Sequence, residues 1–150
     1  NFYMWNSMGM ASSIGLGLAM ARPQQTVIIL DGDGSLLMNL NSLPTAAARS
    51  PENLIHIIWD NRQFELTGGQ PTHTAFCTDL AAIARGAGFK HVESVDTQAD
   101  FEAAFDKALQ ESGPWIIVAH IDSERSPGRP PKSAALIKHR FMEALGIKPV

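Results

Sequence analysis

The sequence predicts an α/β protein, a three-layer fold with a mostly parallel central sheet flanked by helices. Three observations carry that expectation. Two apolar runs, Ile28-Ile29-Leu30 and Leu54-Ile55-His56-Ile57-Ile58-Trp59, each end in a polar turn, Asp31-Gly32-Asp33-Gly34-Ser35 and Asp60-Asn61. Helix-sized intervals alternate with apolar runs along the chain, the order that builds parallel sheets covered by helices. The runs are continuous rather than alternating, as in strands buried on both faces.

Each element has its own signal. The stretch Met8-Gly9-Met10-Ala11-Ser12-Ser13-Ile14-Gly15-Leu16-Gly17-Leu18-Ala19 reads as a loop passing into a helix over 8–20, whose small side chains permit close packing. Pro23 ends it before a strand over 26–30. A helix over 40–49 and a strand over 54–59 follow. After a long loop, Thr78 or Asp79 caps a helix running through Ala84, and Gly86 or Gly88 closes it. A strand over 91–95, a helix over 98–111, the break Gly113-Pro114 and a strand over 115–121 complete the alternation. Residues 122–132 form a polar linker rich in Pro and Gly. Leu136, Ile137, Phe141 and Leu145 at helical spacing mark a terminal helix over 133–145.

The chain has 150 residues, enough for one domain with a real core, and is read as a single domain over 1–150. Its formal net charge of -3, with Lys and Arg scattered, argues against a nucleic-acid surface or a polybasic membrane patch. Cys77 is the sole cysteine, which rules out an intramolecular disulfide and gives a reducing, cytoplasmic location as the expectation. No apolar stretch approaches the roughly 20 residues that span a bilayer. Beginning at Asn1 beside the motifs below, the chain reads as a trimmed or partial one.

The two strand ends together suit a metal and a diphosphate. Gly32 and Gly34 let the backbone approach an anion, and the helix that follows offers unpaired N–H groups to phosphate oxygens. Asp33 supplies a hard oxygen. With the Asn61 side-chain oxygen and a nearby backbone carbonyl, it makes a set that magnesium accepts. In an open sheet of this kind ligands bind beyond the carboxyl ends of the strands, where Asp33 and Asn61 fall.

Gly32-Asp33-Gly34 followed by Asp60-Asn61 resembles the signature of thiamine diphosphate-dependent enzymes, with Asp60 where the family more often has a first Asn. Further likeness lies in Phe2-Tyr3-Met4, Ser7-Met8-Gly9, Ala11-Ser12-Ser13-Ile14-Gly15, the run from Gly32 to Leu40, and Thr67-Gly68-Gly69-Gln70-Pro71-Thr72. It runs most to the sulfopyruvate and phosphonopyruvate decarboxylases. The resemblance implies the thiamine diphosphate-binding fold, with Asp33, Asn61 and the main-chain carbonyl of Gln63 as ligands of Mg2+. It implies cofactor contacts from Asn6, Ser7, Met8, Gly32, Gly34, Ser35 and Phe64 as well. Met8 stands in the place of the apolar wedge between the cofactor rings, and Asn6 in that of the residue whose carbonyl accepts from the aminopyrimidine.

By the same resemblance the chain is the diphosphate-binding half of a 2-oxo acid decarboxylase acting on a small anionic substrate. An α-type subunit with a pyrimidine-binding domain then supplies the glutamate that activates the cofactor, so this chain carries no catalytic residue of its own and works in an oligomer. Glu52 and Glu65 are the only acids near the motif loops, and neither precedes a matching segment. The alternatives are half of a carboligase or oxidoreductase using the same cofactor, or a non-catalytic binding or assembly module.

Single residues admit plainer roles. Phe64 either covers the diphosphate or anchors its loop. Met8 taken alone is core. His73 reads as a solvated loop residue, His56 and His120 as structural, Cys77 as a small packed residue, and Arg125, Arg129 and Lys132 as a solvated linker.

Overall fold

The computed structural model describes residues 1–5, 7–123 and 131–148. Its first helix, α1 (Ala11–Ala21), starts later than the composition suggests, because Gly9 takes a φ of 83°, a left-handed geometry that holds the preceding residues as a loop. Gly15 brings α1 close to β1 (Val27–Gly32): a Cβ there would stand 2.3 Å from Ile29 Cγ1. The strand runs two residues beyond the apolar run and passes at once into a short helix, α2 (Asp33–Leu37), so Asp33 opens a helix instead of sitting in an open turn. The next helix is correspondingly shorter than expected, α3 (Ser42–Arg49).

β2 (Leu54–Asp60) lies beside β1 in parallel, with Val27 opposite Leu54 and Gly32 opposite Trp59. The long connection that follows is not bare loop. It contains a small antiparallel ribbon, β3 (Gln63–Phe64) and β4 (Gln70–Pro71), with single 3-10 turns at Glu65–Thr67 and His73–Ala75. Then come α4 (Leu80–Gly86), β5 (His91–Val95), α5 (Gln98–Gln110) and β6 (Trp115–His120). Of the two cap candidates for α4 the structure selects Asp79, whose carboxylate accepts from the Ala82 N–H at 2.9 Å.

The four long strands form a parallel sheet in the order β1-β2-β6-β5. Alternate side chains divide between its faces. Val27, Ile29, Leu54, Ile58, Ile116 and Val118 pack with Leu16, Leu43 and Leu80 under α1, α3 and α4. Ile55, Ile57, Trp115 and Ile117 face α5, with Ala104 and Ala108. Helix layers on both faces of a parallel sheet give the three-layer arrangement expected. One expectation fails at the edge: β1 is not buried on both faces, since Ile28 and Leu30 are 43% and 63% exposed. α5 lies over β5 and β6, at the opposite edge of the sheet.

Residues Met8–Ser123 make one compact unit containing this sheet; Asn1–Ser7 with Glu124–Val150 make a second. In the second, Ser133 caps α6 (Ala134–Ala144) by accepting from the Leu136 N–H at 3.3 Å. There the Phe2 and Phe141 rings lie 5.2 Å apart, and the Trp5 indole donates to the Pro131 carbonyl at 2.7 Å. Lys132 is exposed, as a solvated linker residue should be; Arg125 and Arg129 lie outside the described residues. Among the described residues no helix is long and apolar enough to cross a membrane.

Candidate active site at the strand ends

The register that sets Gly32 opposite Trp59 brings the carboxyl ends of β1 and β2 side by side, so Asp33 begins α2 next to Asp60, with Asn61 one residue further on. The Asp33 side chain is buried. Its Oδ2 accepts from the hydroxyl of Thr72, which is also fully buried, and contacts the Thr74 hydroxyl at 3.1 Å. Burial pushes the Asp33 carboxyl above its usual range, and the neighbouring Asp60 adds to the rise, against the lowering effect of Thr72, the Gly34 N–H and Thr74.

Thr74 also reaches Asp60 Oδ1 at 2.7 Å and Thr72 Oγ1 at 2.8 Å. Asp60 takes a second bond at Oδ1, from the Arg62 N–H at 3.1 Å. Its other oxygen lies 3.3 Å from Nδ1 of His120, without hydrogen-bond alignment. Asp60 and His120 are register partners across β2 and β6, and His120 Nε2 meets Ser94 Oγ at 3.0 Å. Three strand ends are thus joined through one carboxylate. His56, by contrast, is buried within the sheet 3.4 Å from Asp31, a structural position as expected.

The ribbon folds back over this centre. The aromatic edge of Phe64 lies against Gly34, where a Cβ would approach Phe64 Cε1 to 2.5 Å, so Phe64 anchors its loop on the start of α2. Among the described residues, no atom beyond its chain neighbours comes within 4 Å of the space a Cβ would take at Gly32. The half-buried Asn61 accepts from the Gln63 N–H at 3.0 Å and extends its amide toward Glu65 at 3.4 Å, an Asx turn that starts the ribbon. The Gln63 backbone belongs to β3 and is held to β4.

On the other side, the segment before α1 is clamped to α2 and to the segment after it. The Gly9 N–H donates to Ser35 Oγ at 3.1 Å, and the Asn39 amide donates to the Gly9 carbonyl at 2.6 Å. Met8, half-buried, is therefore held one residue from a fixed point beside α2. Ser7 belongs to the other unit, where its hydroxyl donates to the Trp5 carbonyl at 3.1 Å. Asn6 lies outside the described residues.

Of the residues read from the sequence, Met8, Gly32, Asp33, Gly34, Ser35, Asn61, Gln63 and Phe64 all fall around the ends of β1 and β2. Sequence reasoning missed Thr74, Asn39 and the engagement of His120. The repeated threonines flanking His73 were the available signal. Cys77 is exposed, not packed as expected, because it follows the turn His73–Ala75 on the outer side of the loop, beside exposed Phe76. His73 is exposed, as a solvated loop residue should be.

Residues 1–119 match the family described as thiamine pyrophosphate enzyme, C-terminal TPP binding domain. The chain is 43% identical over 146 residues to sulfopyruvate decarboxylase subunit beta of Methanocaldococcus jannaschii, covering 97% of this chain and 77% of that protein. It is 40% identical over 145 residues to phosphonopyruvate decarboxylase of Streptomyces hygroscopicus, covering 95% of this chain but only 36% of that longer protein. Among solved structures, benzoylformate decarboxylase from Polynucleobacter necessarius superposes with a TM-score of 0.70 at 21% identity. That match covers 81% of this chain and 25% of that one.

Proposed function

Since the chain belongs to the thiamine pyrophosphate enzymes, through their C-terminal TPP binding domain, we propose that it is the diphosphate-binding subunit or domain of a magnesium-dependent 2-oxo acid decarboxylase. The substrate class is a small anionic 2-oxo acid of the sulfopyruvate or phosphonopyruvate type. The carrying observation is a buried carboxylate, Asp33, at paired strand ends, in a chain 43% identical to a sulfopyruvate decarboxylase β subunit.

The donor chemistry fits the cation. Asp33 offers a buried carboxylate, and Asn61 and the Gln63 carbonyl add neutral oxygens from the adjoining turn, the hard set magnesium takes. Asp33, Asn61 and Gln63 would hold the metal. The open volume at Gly32 and the Ser35 N–H at the start of α2 suit diphosphate oxygens. Met8 would meet the cofactor rings. When bound, thiamine diphosphate supplies the electron sink that takes the electron pair released as the substrate carboxylate leaves as carbon dioxide. The chain's own residues bind and orient.

The glutamate that activates the cofactor comes from a pyrimidine-binding domain on an α-type partner. Relatives named as β subunits support that division, and the S. hygroscopicus protein, of which this chain spans 36%, has room for both halves in one polypeptide. The assembly is a cytoplasmic oligomer. A carboligase half is the second reading: a putative acetolactate synthase large subunit of Mycobacterium tuberculosis is 31% identical over 131 residues.

Calorimetric titration of thiamine diphosphate, with and without Mg2+ and with and without a pyrimidine-domain subunit, tests the reading. Magnesium-dependent binding lost in Asp33→Ala, with carbon dioxide released from sulfopyruvate or phosphonopyruvate only when the partner is present, is expected. No binding in any mixture would leave a module without cofactor function.

A further inference from the structure

Besides the Gly34 N–H, Asp33 meets two hydroxyls, and one of them, that of Thr74, is also held by a second carboxylate. Thr72 Oγ1 and Thr74 Oγ1 both contact Oδ2 of Asp33, they contact each other at 2.8 Å, and Thr74 Oγ1 also contacts Asp60 Oδ1 at 2.7 Å. Two hydroxyls carry two protons, and these contacts number four. The 2.7 Å contact to Asp60 is the shorter of the two that Thr74 makes to carboxylates, so Asp60 competes with Asp33 for its single proton. Thr72 then gives its proton to Asp33. Thr74 has one proton for two carboxylates, Asp60 at 2.7 Å and Asp33 at 3.1 Å, and none is left for its 2.8 Å contact with Thr72.

An oxygen-to-oxygen approach without a proton is repulsive in a buried place unless positive charge is supplied. Asp60 thereby concentrates acceptor oxygens around the one carboxylate that a cation would use. It is itself held by the Arg62 N–H and by Thr74, and its register partner His120 on β6 lies 3.3 Å from its other oxygen.

We propose that Asp60 is a positioning residue for the metal site, acting through Thr74 to present the Asp33 carboxylate to the cation, with His120 as its anchor on β6. It does not touch the metal in this account, and its difference from the family's more frequent Asn is a working part of the site. The inference rests on the cofactor reading above. It goes beyond that reading by giving roles to Asp60, Thr74 and His120, and by explaining why the loop bearing Thr72 and Thr74 returns to the strand ends.

The test is the affinity for Mg2+ in the presence of saturating thiamine diphosphate, measured by calorimetry on the chain assembled with its pyrimidine-domain partner. Thr74→Val removes the hydroxyl at nearly constant volume, Thr74→Ser keeps it, and Asp60→Ala and the Asp60→Ala/Thr74→Val double variant complete a cycle. Loss of an outer-shell partner typically weakens metal binding about 10- to 100-fold. Each single variant is expected to weaken Mg2+ at least about tenfold, Thr74→Ser to stay within about threefold of the wild type, and the double variant to be no weaker than the poorer single.

Thermal melts in chelator report folding separately, and Thr74 lies in the loop outside both core clusters. Unchanged Mg2+ affinity in a folded Thr74→Val variant would overturn the proposal. So would a double variant whose loss equals the product of the single losses, since Asp60 would then act by another route. Both of those results leave the cofactor reading standing. A wild-type assembly that binds no thiamine diphosphate with Mg2+ would overturn the reading and the proposal together.

Discussion

The Phe64 ring stands where a side chain on Gly34 would have to go: a Cβ there would lie 2.5 Å from Phe64 Cε1 and 3.1 Å from Thr72 Cγ2. Gly34 has no left-handed backbone; it lies inside α2. Its need for hydrogen in place of a side chain is steric, set by a loop that packs on the helix start. A glycine read as a turn residue is here a packing residue.

Gly34→Ala is therefore expected to destabilise the chain by about 1–3 kcal/mol, the usual cost of forcing an extra carbon into a packed place. Phe64→Ala removes the obstructing ring. The double variant should lose less than the sum of the two single losses, and urea unfolding of all three variants measures the coupling. Additive losses would mean that the two residues do not share the space.

Asn39 is expected to matter for the other side of the site. Its amide donates to the Gly9 carbonyl at 2.6 Å while Ser35 Oγ accepts the Gly9 N–H at 3.1 Å, which fixes the residue next to Met8. Asn39→Ala should cost about 1–3 kcal/mol and weaken thiamine diphosphate binding. Asn39→Asp should be worse, because a carboxylate would face the Gly9 carbonyl with no proton to give. Binding unchanged in a folded Asn39→Ala variant would remove the link between this clamp and the cofactor.

Burial raises the Asp33 carboxyl above its ordinary value of 3.8 in the metal-free chain. A raised folded-state value means the folded chain holds its proton more tightly than the unfolded one. The stabilisation is complete below pH 3.8 and is lost as pH rises through the folded value. Asp33→Asn keeps the shape and escapes that loss. In chelator, the unfolding midpoint of Asp33→Asn relative to wild type should therefore rise between acid and neutral pH. A difference independent of pH would show that burial of the charge is not what the site costs the fold.

The order of strands and helices was legible because parallel strands carry continuous apolar runs, and the positions of Asp33 and Asn61 followed from where those runs stop. The exposure of Ile28 and Leu30 was not legible. Their apolarity matches that of Ile55 and Ile57, and only the order β1-β2-β6-β5, with α5 over β5 and β6, separates an edge strand from a central one. The ribbon of β3 and β4 was hidden for another reason: two-residue strands are too short to show a period of two. Thr74 was invisible because its partners, Asp33 and Asp60, lie 41 and 14 residues away in sequence.

The far end of the sheet depends on Asn53, and its replacement tests whether register is set there. The Asn53 amide donates to the carbonyls of Ala19 at 3.2 Å, Arg22 at 3.0 Å and Gln25 at 2.7 Å, while its own carbonyl accepts from the Val27 N–H at 2.8 Å. Two amide protons serve three carbonyls that end α1 and lead into β1, so Asn53 ties the start of β1 to the start of β2. Next to that tie Val27 stands opposite Leu54, and the same ladder ends with Gly32 opposite Trp59. Asn53→Ala removes this side-chain donor, while the Arg22 carbonyl keeps the Gln25 N–H, and is expected to cost about 1–3 kcal/mol. Asn53→Asp should cost more at neutral pH, since it sets a carboxylate against three carbonyl oxygens. Because the strands remain paired by their backbones, folded Asn53→Ala should bind thiamine diphosphate as the wild type does. Weakened binding in that variant would show that the register of β1 on β2, and with it the place of Asp33, is held from this end of the sheet.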